Sequence, residues 1–239
     1  MTDPTPLDYQ TPPKREPLVR DDIAYVLPMA IFLALTWLGG QTTAAWPGSF
    51  AVIYLLKTLF TAGALVLLHR HFTRIRWNFW WLGVLVGIIG IVQWIGMQMW
   101  LQRHFEFFRS SSGGFNPVDA LPHESVRYTF YAIRIAGAVL VVPFMEELFW
   151  RDFLWRQILA PNDFKLASVG EWAWSPLLIV SAAFATVHGN WWLTAVVWAL
   201  MVGVLLVYTK SLGACIIAHA TTNLLLAVYV LVYHDWSFW

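Results

Sequence analysis

Residues 191–233 read WWLTAVVWALMVGVLLVYTKSLGACIIAHATTNLLLAVYVLVY. Two apolar runs, 191–209 and 212–233, meet at Lys210 and Ser211, and each is close to the ~20 residues a helix needs to cross a bilayer. Neither alternates apolar and polar side chains as a strand would. A backbone in hydrocarbon must satisfy its own hydrogen bonds, so these runs predict membrane helices. Working outward, further apolar stretches lie at 23–39, 50–68, 79–101, 127–150 and 174–188, the last of them short. The predicted fold class is all-α: a polytopic transmembrane helical bundle of about seven membrane helices, with one longer loop at 102–126 and no internal repeat.

Composition agrees. The 239 residues are 59% hydrophobic and only 12% charged, against about 25% charged in an ordinary soluble domain. Sixteen Trp, sixteen Phe and eight Tyr suit a chain that needs aromatic anchors at two membrane interfaces, among them Trp236, Phe238 and Trp239 of the C-terminal HDWSFW. The formal net charge is +1 and the charges are scattered, which argues against a nucleic-acid surface. The lone Cys215 excludes an internal disulfide.

Residues 1–22, rich in Pro and mixed charge, read as a flexible N-terminal tail rather than a signal peptide, and residues 23–239 as one transmembrane domain. Lys14, Arg15 and Arg20, then Arg70, Arg74 and Arg76, then Arg151, Arg156 and Lys165, and finally Lys210 recur on one side, while the segment 39–49 has no Lys or Arg. The positive-inside bias places the N-terminus in the cytoplasm.

An ionisable group in such a bundle is a functional candidate because burying it in lipid costs a few kcal/mol or more. Candidates are Lys57, Arg134, the cluster Glu146, Glu147 and Arg151, then His188, and then His219 with Asn223. In PFMEELFWRDFLWR (143–156), Glu147 and Arg151 are four apart on one face, with Glu placed N-terminally, the better orientation for an ion pair. Glu146 points about 100° away and is free to face something else. The alternative is a helix end whose charges reach to water. His188 follows Phe184 by one turn; alone it also fits an interfacial histidine. His219 and Asn223 share a face with no neighbouring charge, as a site or as interhelical hydrogen-bond glue. Cys215 and His219 share a face too, although a free Cys usually packs as a small hydrophobe. Lys57 and Arg134 read as snorkelling groups or as partners for the Glu146 cluster.

Several chemistries are absent: HExxH, GxSxG, a phosphate-binding glycine loop and CxxC. A carboxylate and a histidine together activate water, and an imidazole and an amide hold a developing oxyanion. The set suits amide hydrolysis. The same groups, Glu146, His188 and His219, are the candidate ligands if a zinc ion with an open water position is used instead.

These residues resemble the CAAX-protease and bacteriocin-processing (CPBP) intramembrane proteases, whose motifs EExxxR, FxxxH and HxxxN or HxxxD fall here on Glu146, Glu147 and Arg151; Phe184 and His188; and His219 and Asn223. The resemblance covers roughly the last 110 residues, a motif-bearing core at 127–233. It implies an endopeptidase recessed in the bilayer, with Glu146 and His188 activating water, His219 and Asn223 forming the oxyanion site, and Glu147, Arg151 and Phe184 in support. The region around SLGACIIAHATTNLLLAVYVL also looks like the bacterial subgroup associated with exosortase and PEP-CTERM sorting. That implies a bacterial cytoplasmic membrane and a membrane-anchored protein or peptide substrate. A non-catalytic scaffold or immunity-type binding protein of the same fold is the competing reading. A proton relay is disfavoured because the stretches 23–39, 50–68 and 79–101 contain no acidic residue.

One expectation is geometric. With straight helices, Glu146 lies towards the cytoplasmic end of its helix and His188 at the far end of the next, so the two would not meet. A break at Pro143, or a short stretch 174–188 that is tilted or only partly inserted, would bring the depths together; Pro143 predicts the break, with residues 144–159 forming a separate helix.

Overall fold

The structure is a computed structural model and describes residues 20–43, 45–109 and 114–239; all but the last few positions of the expected tail lie outside these residues. The described residues are helical without a strand. The helices are α1 (Asp21–Thr43), α2 (Ser49–Leu67), α3 (Trp80–His104), the composite α4 (124–159), α5 (Trp174–Thr186), α6 (Trp192–Thr209) and α7 (Leu212–Tyr233), with short single turns between them. Five of them, α1, α2, α3, α6 and α7, are long and apolar enough to cross a membrane.

Their surfaces fit lipid. Outward-facing Leu59, Val66, Val92, Val204 and Val232 are each more than half exposed along the spans. Trp77, Trp80, Trp81, Trp172 and Trp174 cluster in sequence around the loops on one face, as an interfacial belt requires. The protein is an integral membrane protein. Inside, α3 packs along α7, α1 along α2 and α5 along α6. A core centred on Trp155, Phe184, Trp198, Val202 and Leu206 joins α4, α5 and α6.

The expected break at Pro143 does not occur. Helical turns run without interruption from Glu124 to Leu159, but two segments, Gly137–Val141 and Leu148–Leu154, adopt the wider i→i+5 hydrogen bonding of a π turn. Such turns let a helix absorb a residue out of register without ending, and they gather at functional sites. Val142 N–H bonds the Gly137 carbonyl, so the next bond in that register would run from residue 143 to Ala138. Pro143 has no N–H to give it. The proline therefore leaves the Ala138 carbonyl open to another donor, instead of breaking the helix.

The depth mismatch disappears for two reasons. Helix α4 continues about three and a half turns beyond Glu146, which sets Glu146 roughly 20 Å from the face where α4 ends. Helix α5 starts at that face and has only 13 residues, about 20 Å, so it stops short of a full crossing and delivers His188 to the same level.

The C-terminal aromatics also depart from expectation. Rather than reaching into a headgroup layer, Trp236 stacks on Tyr131, Phe238 is buried against Trp191, and the Trp239 ring lies 4.9 Å from the Arg134 guanidinium. Arg134 is also 4.8 Å from the Tyr54 ring, so aromatic faces hold it, and among the described residues no carboxylate pairs with it. Lys57 is likewise buried, over the Phe32 and Tyr54 rings at 4.4 and 4.6 Å, with its Nζ donating to Thr36 Oγ1 at 3.1 Å.

Candidate active site

Glu146, His188, His219 and Asn223, brought by α4, the end of α5 and α7, line one cavity of about 130 Å³ whose walls include Trp94, Phe184 and Trp198. Behind it sits a fully buried ion pair. Arg151 Nη1 donates to Glu147 Oε1 at 3.3 Å, its Nε lies 3.2 Å from Oε2, and the two side chains are 1% and 0% exposed. Each partner of such a pair compensates a charge that would otherwise be buried alone. The guanidinium faces the Phe184 and Trp198 rings at 4.9 and 5.4 Å, Glu147 Oε2 and Arg151 Nη2 have no hydrogen bond among the described residues, and His219 shares Glu147 Oε1 with the guanidinium.

That last contact fixes an imidazole. His219 Nδ1 lies 2.8 Å from Glu147 Oε1, and a carboxylate oxygen can only accept, so Nδ1 carries the proton and Nε2 is left for the cavity. Trp198, edge-on at 4.7 Å, limits rotation of the ring. His188 is oriented by the same logic: its Nδ1 donates to the Phe184 carbonyl at 2.8 Å, while the ring stacks on Phe184 at 4.4 Å and meets Trp94 edge-on. Its Nε2 lone pair is thereby free.

Asn223 Nδ2 donates to the Ala138 carbonyl at 2.8 Å, the acceptor that Pro143 leaves open. The amide has two N–H bonds, and the carbonyl takes one. Glu146 is nearly buried and lines the cavity itself; its Oε2, like Glu147 Oε2 and Arg151 Nη2 behind it, has no hydrogen-bond partner among the described residues. A carboxylate aimed into a cavity without a partner is placed to bind what enters.

The structure thus brings together all four candidates from three separate segments, with Glu147, Arg151 and Phe184 directly behind them. Cys215 is excluded from the group: it is fully buried in the core with Sγ 3.8 Å from the Val202 carbonyl and does not line the cavity. Among the described residues no group of three or more His, Cys, Asp or Glu side chains is arranged to hold a metal ion. Sequence reasoning missed Trp94, Trp198 and the Ala138 carbonyl, since aromatic walls and a backbone oxygen carry no spacing signal. It also missed a second buried pair five residues further along, Asp152 with Arg156 at 2.5 Å, to which Tyr25 adds a hydrogen bond at 2.6 Å.

Residues 128–225, which hold every one of these motif residues, match a family model described as type II CAAX prenyl endopeptidase Rce1-like. No curated protein and no solved structure matches the chain.

Proposed function

We propose that the protein, whose residues 128–225 match the Rce1-like CAAX prenyl endopeptidase model, hydrolyses a peptide bond of a membrane-anchored protein or peptide by water activated between Glu146 and His188. The convergence of Glu146, His188, His219 and Asn223 on one aromatic-walled cavity supports this best. At about 130 Å³ the cavity has room for a few water molecules or one peptide group.

In this reading Glu146 takes a proton from water as the oxygen attacks the carbonyl carbon, and the His188 Nε2 lone pair accepts the water's second hydrogen bond and aims it. The carbonyl oxygen gains charge between His219 Nε2 and the free N–H of Asn223. A protonated His219 is stabilised from behind by Glu147, so its Nε2–H donates to the oxyanion. Glu146 then passes its proton to the departing amine. The substrate in this reading is a membrane-anchored protein of a sorting or exopolysaccharide pathway in a bacterial cytoplasmic membrane, and the chain is oriented with its N-terminus in the cytoplasm.

The test is cleavage of a candidate membrane-anchored substrate by wild-type protein, Glu146→Ala and His188→Ala, each with and without a strong chelator and with metal content measured in parallel. Loss in both variants, chelator-insensitive and without bound metal, supports the carboxylate mechanism. Loss on chelation with recovery on zinc would make Glu146, His188 and His219 ligands instead, and unchanged activity in both variants would overturn the assignment.

A further inference from the structure

The segment 72–78 between α2 and α3 is an extended strap pinned at both ends. Thr73 N–H donates to the Tyr25 hydroxyl at 2.7 Å; Ser211 Oγ donates to the Arg76 and Asn78 carbonyls at 2.9 and 2.8 Å, and Gly213 N–H to Arg76 at 3.0 Å. On one side of the strap lies a basin of about 1000 Å³ whose lining includes five cations, Arg74, Arg76, Arg156, Lys165 and Lys210, and no carboxylate. On the other side lies an apolar groove of about 740 Å³ between α2 and α4, walled by Ala62, Leu65, Phe72, Leu140, Phe144 and Leu148. Thr73, Arg74, Ile75 and Trp77 line both.

The cations are not equally available. Arg156 is buried and committed to Asp152, Thr73 and the Ala167 and Lys165 carbonyls; Lys165 pairs with Asp21, and Lys210 bonds the Gly170 carbonyl. Arg74 and Arg76 are exposed, and among the described residues neither has a carboxylate within 4 Å. Both line the same basin beside further positive charge, and the guanidinium fork matches a phosphate's oxygens bidentately. A slot deep enough for hydrocarbon opens directly beside it.

We propose that this paired basin and groove hold one anionic phospholipid, its phosphate on Arg74 and Arg76 and an acyl chain between α2 and α4. The groove lies on the side of α4 opposite Glu146, because Leu140, Phe144 and Leu148 recur at four-residue steps while Glu146 is rotated about 200° from Phe144. The lipid is therefore a bound component distinct from anything in the catalytic cavity, and the proposal stands whether or not the protein is a peptidase.

The test is native mass spectrometry and thermal unfolding of the full chain in neutral detergent, titrated with phosphatidylglycerol, phosphatidylcholine or glycerol phosphate. Phosphatidylglycerol should bind as one retained molecule, at least about ten-fold tighter than phosphatidylcholine. Arg74→Ala with Arg76→Ala should abolish that preference while leaving unfolding without added lipid unchanged, since both side chains are exposed. Ala62→Trp, which fills the groove, should weaken phosphatidylglycerol by a similar factor. Equal binding of phosphatidylcholine would reduce the groove to ordinary lipid contact, and glycerol phosphate binding as well as the whole lipid would reduce the basin to a free anion site. Either result, or an intact preference in the double arginine variant, would overturn the proposal.

Discussion

Glu146 and Glu147 are neighbours in sequence with opposite structural duties, and substitution should separate them. Glu147 is fully buried, with Arg151 spanning both carboxylate oxygens and His219 on Oε1. Glu147→Gln strands a buried guanidinium, and removing one partner of such a pair costs about 3–5 kcal/mol. The variant should unfold at a markedly lower temperature in detergent. Glu146→Gln removes a carboxylate whose Oε2 has no partner, so the melting temperature should stay close to wild type while cleavage falls by about 10²- to 10⁴-fold. Parallel melting and cleavage measurements on both variants check this; equal destabilisation would mean that Glu146 is also structural. Phe184 follows the pattern of Glu147. It lies beneath the Arg151 guanidinium and stacks on His188, so Phe184→Leu should weaken both contacts and reduce activity together with stability, whereas Phe184→Tyr, which keeps the ring, should retain more of each.

At the scale of the element, α4 explains what a sequence shows and what it hides. The apolar stretches predicted from hydropathy fall on the observed helices, because lipid-facing surface and backbone satisfaction depend only on local composition. The pairing of Glu147 with Arg151 was legible for the same reason: it lies within one helix face. What was not legible is hydrogen-bond register. Pro143 signalled an irregularity, but whether the helix breaks or shifts to π turns depends on whether a distant donor can satisfy the orphaned carbonyl, and Asn223 is 85 residues away. This makes a quantitative prediction. Asn223→Asp removes the donor to Ala138, at a cost of about 1 kcal/mol or more. Pro143→Ala supplies an N–H within the helix that can take the same carbonyl, so the cost of Asn223→Asp should shrink in the Pro143→Ala background. A double-mutant cycle on unfolding in mixed micelles should show a coupling of about 1 kcal/mol between positions 143 and 223. Additive effects would sever the link.

At the scale of the molecule, the helix that packs behind His219 and Asn223 lies outside the family match, which begins at residue 128. Helix α3 runs along α7, and three of its glycines face that contact: a Cβ on Gly83 would come 2.5 Å from the Ala214 carbonyl oxygen, on Gly87 2.6 Å from Thr221 and 2.7 Å from the Ala218 oxygen, and on Gly90 2.8 Å from Thr222. Thr222 Oγ1 closes the seam with a hydrogen bond to the Gly87 carbonyl at 3.0 Å. Without a hydrophobic drive between helices in lipid, close backbone approach of this kind supplies the packing. Ala218 and Thr222 flank His219 and Asn223 on α7, so any widening of the seam moves the imidazole off Glu147 and the amide off Ala138. Gly87→Ala forces such a widening, because one of the atoms it meets is backbone; overpacking costs about 1–3 kcal/mol, and the displacement should lower cleavage beyond what the lost stability explains. Gly96, on the same helix with nothing within 4 Å of its Cβ position, is the control. Gly96→Ala should be neutral or slightly stabilising, since it adds helix propensity without a clash. If both substitutions behave alike, α3 is a passive neighbour. If only Gly87→Ala impairs cleavage at a temperature where both variants are folded, the active site depends on a helix that carries none of its motifs.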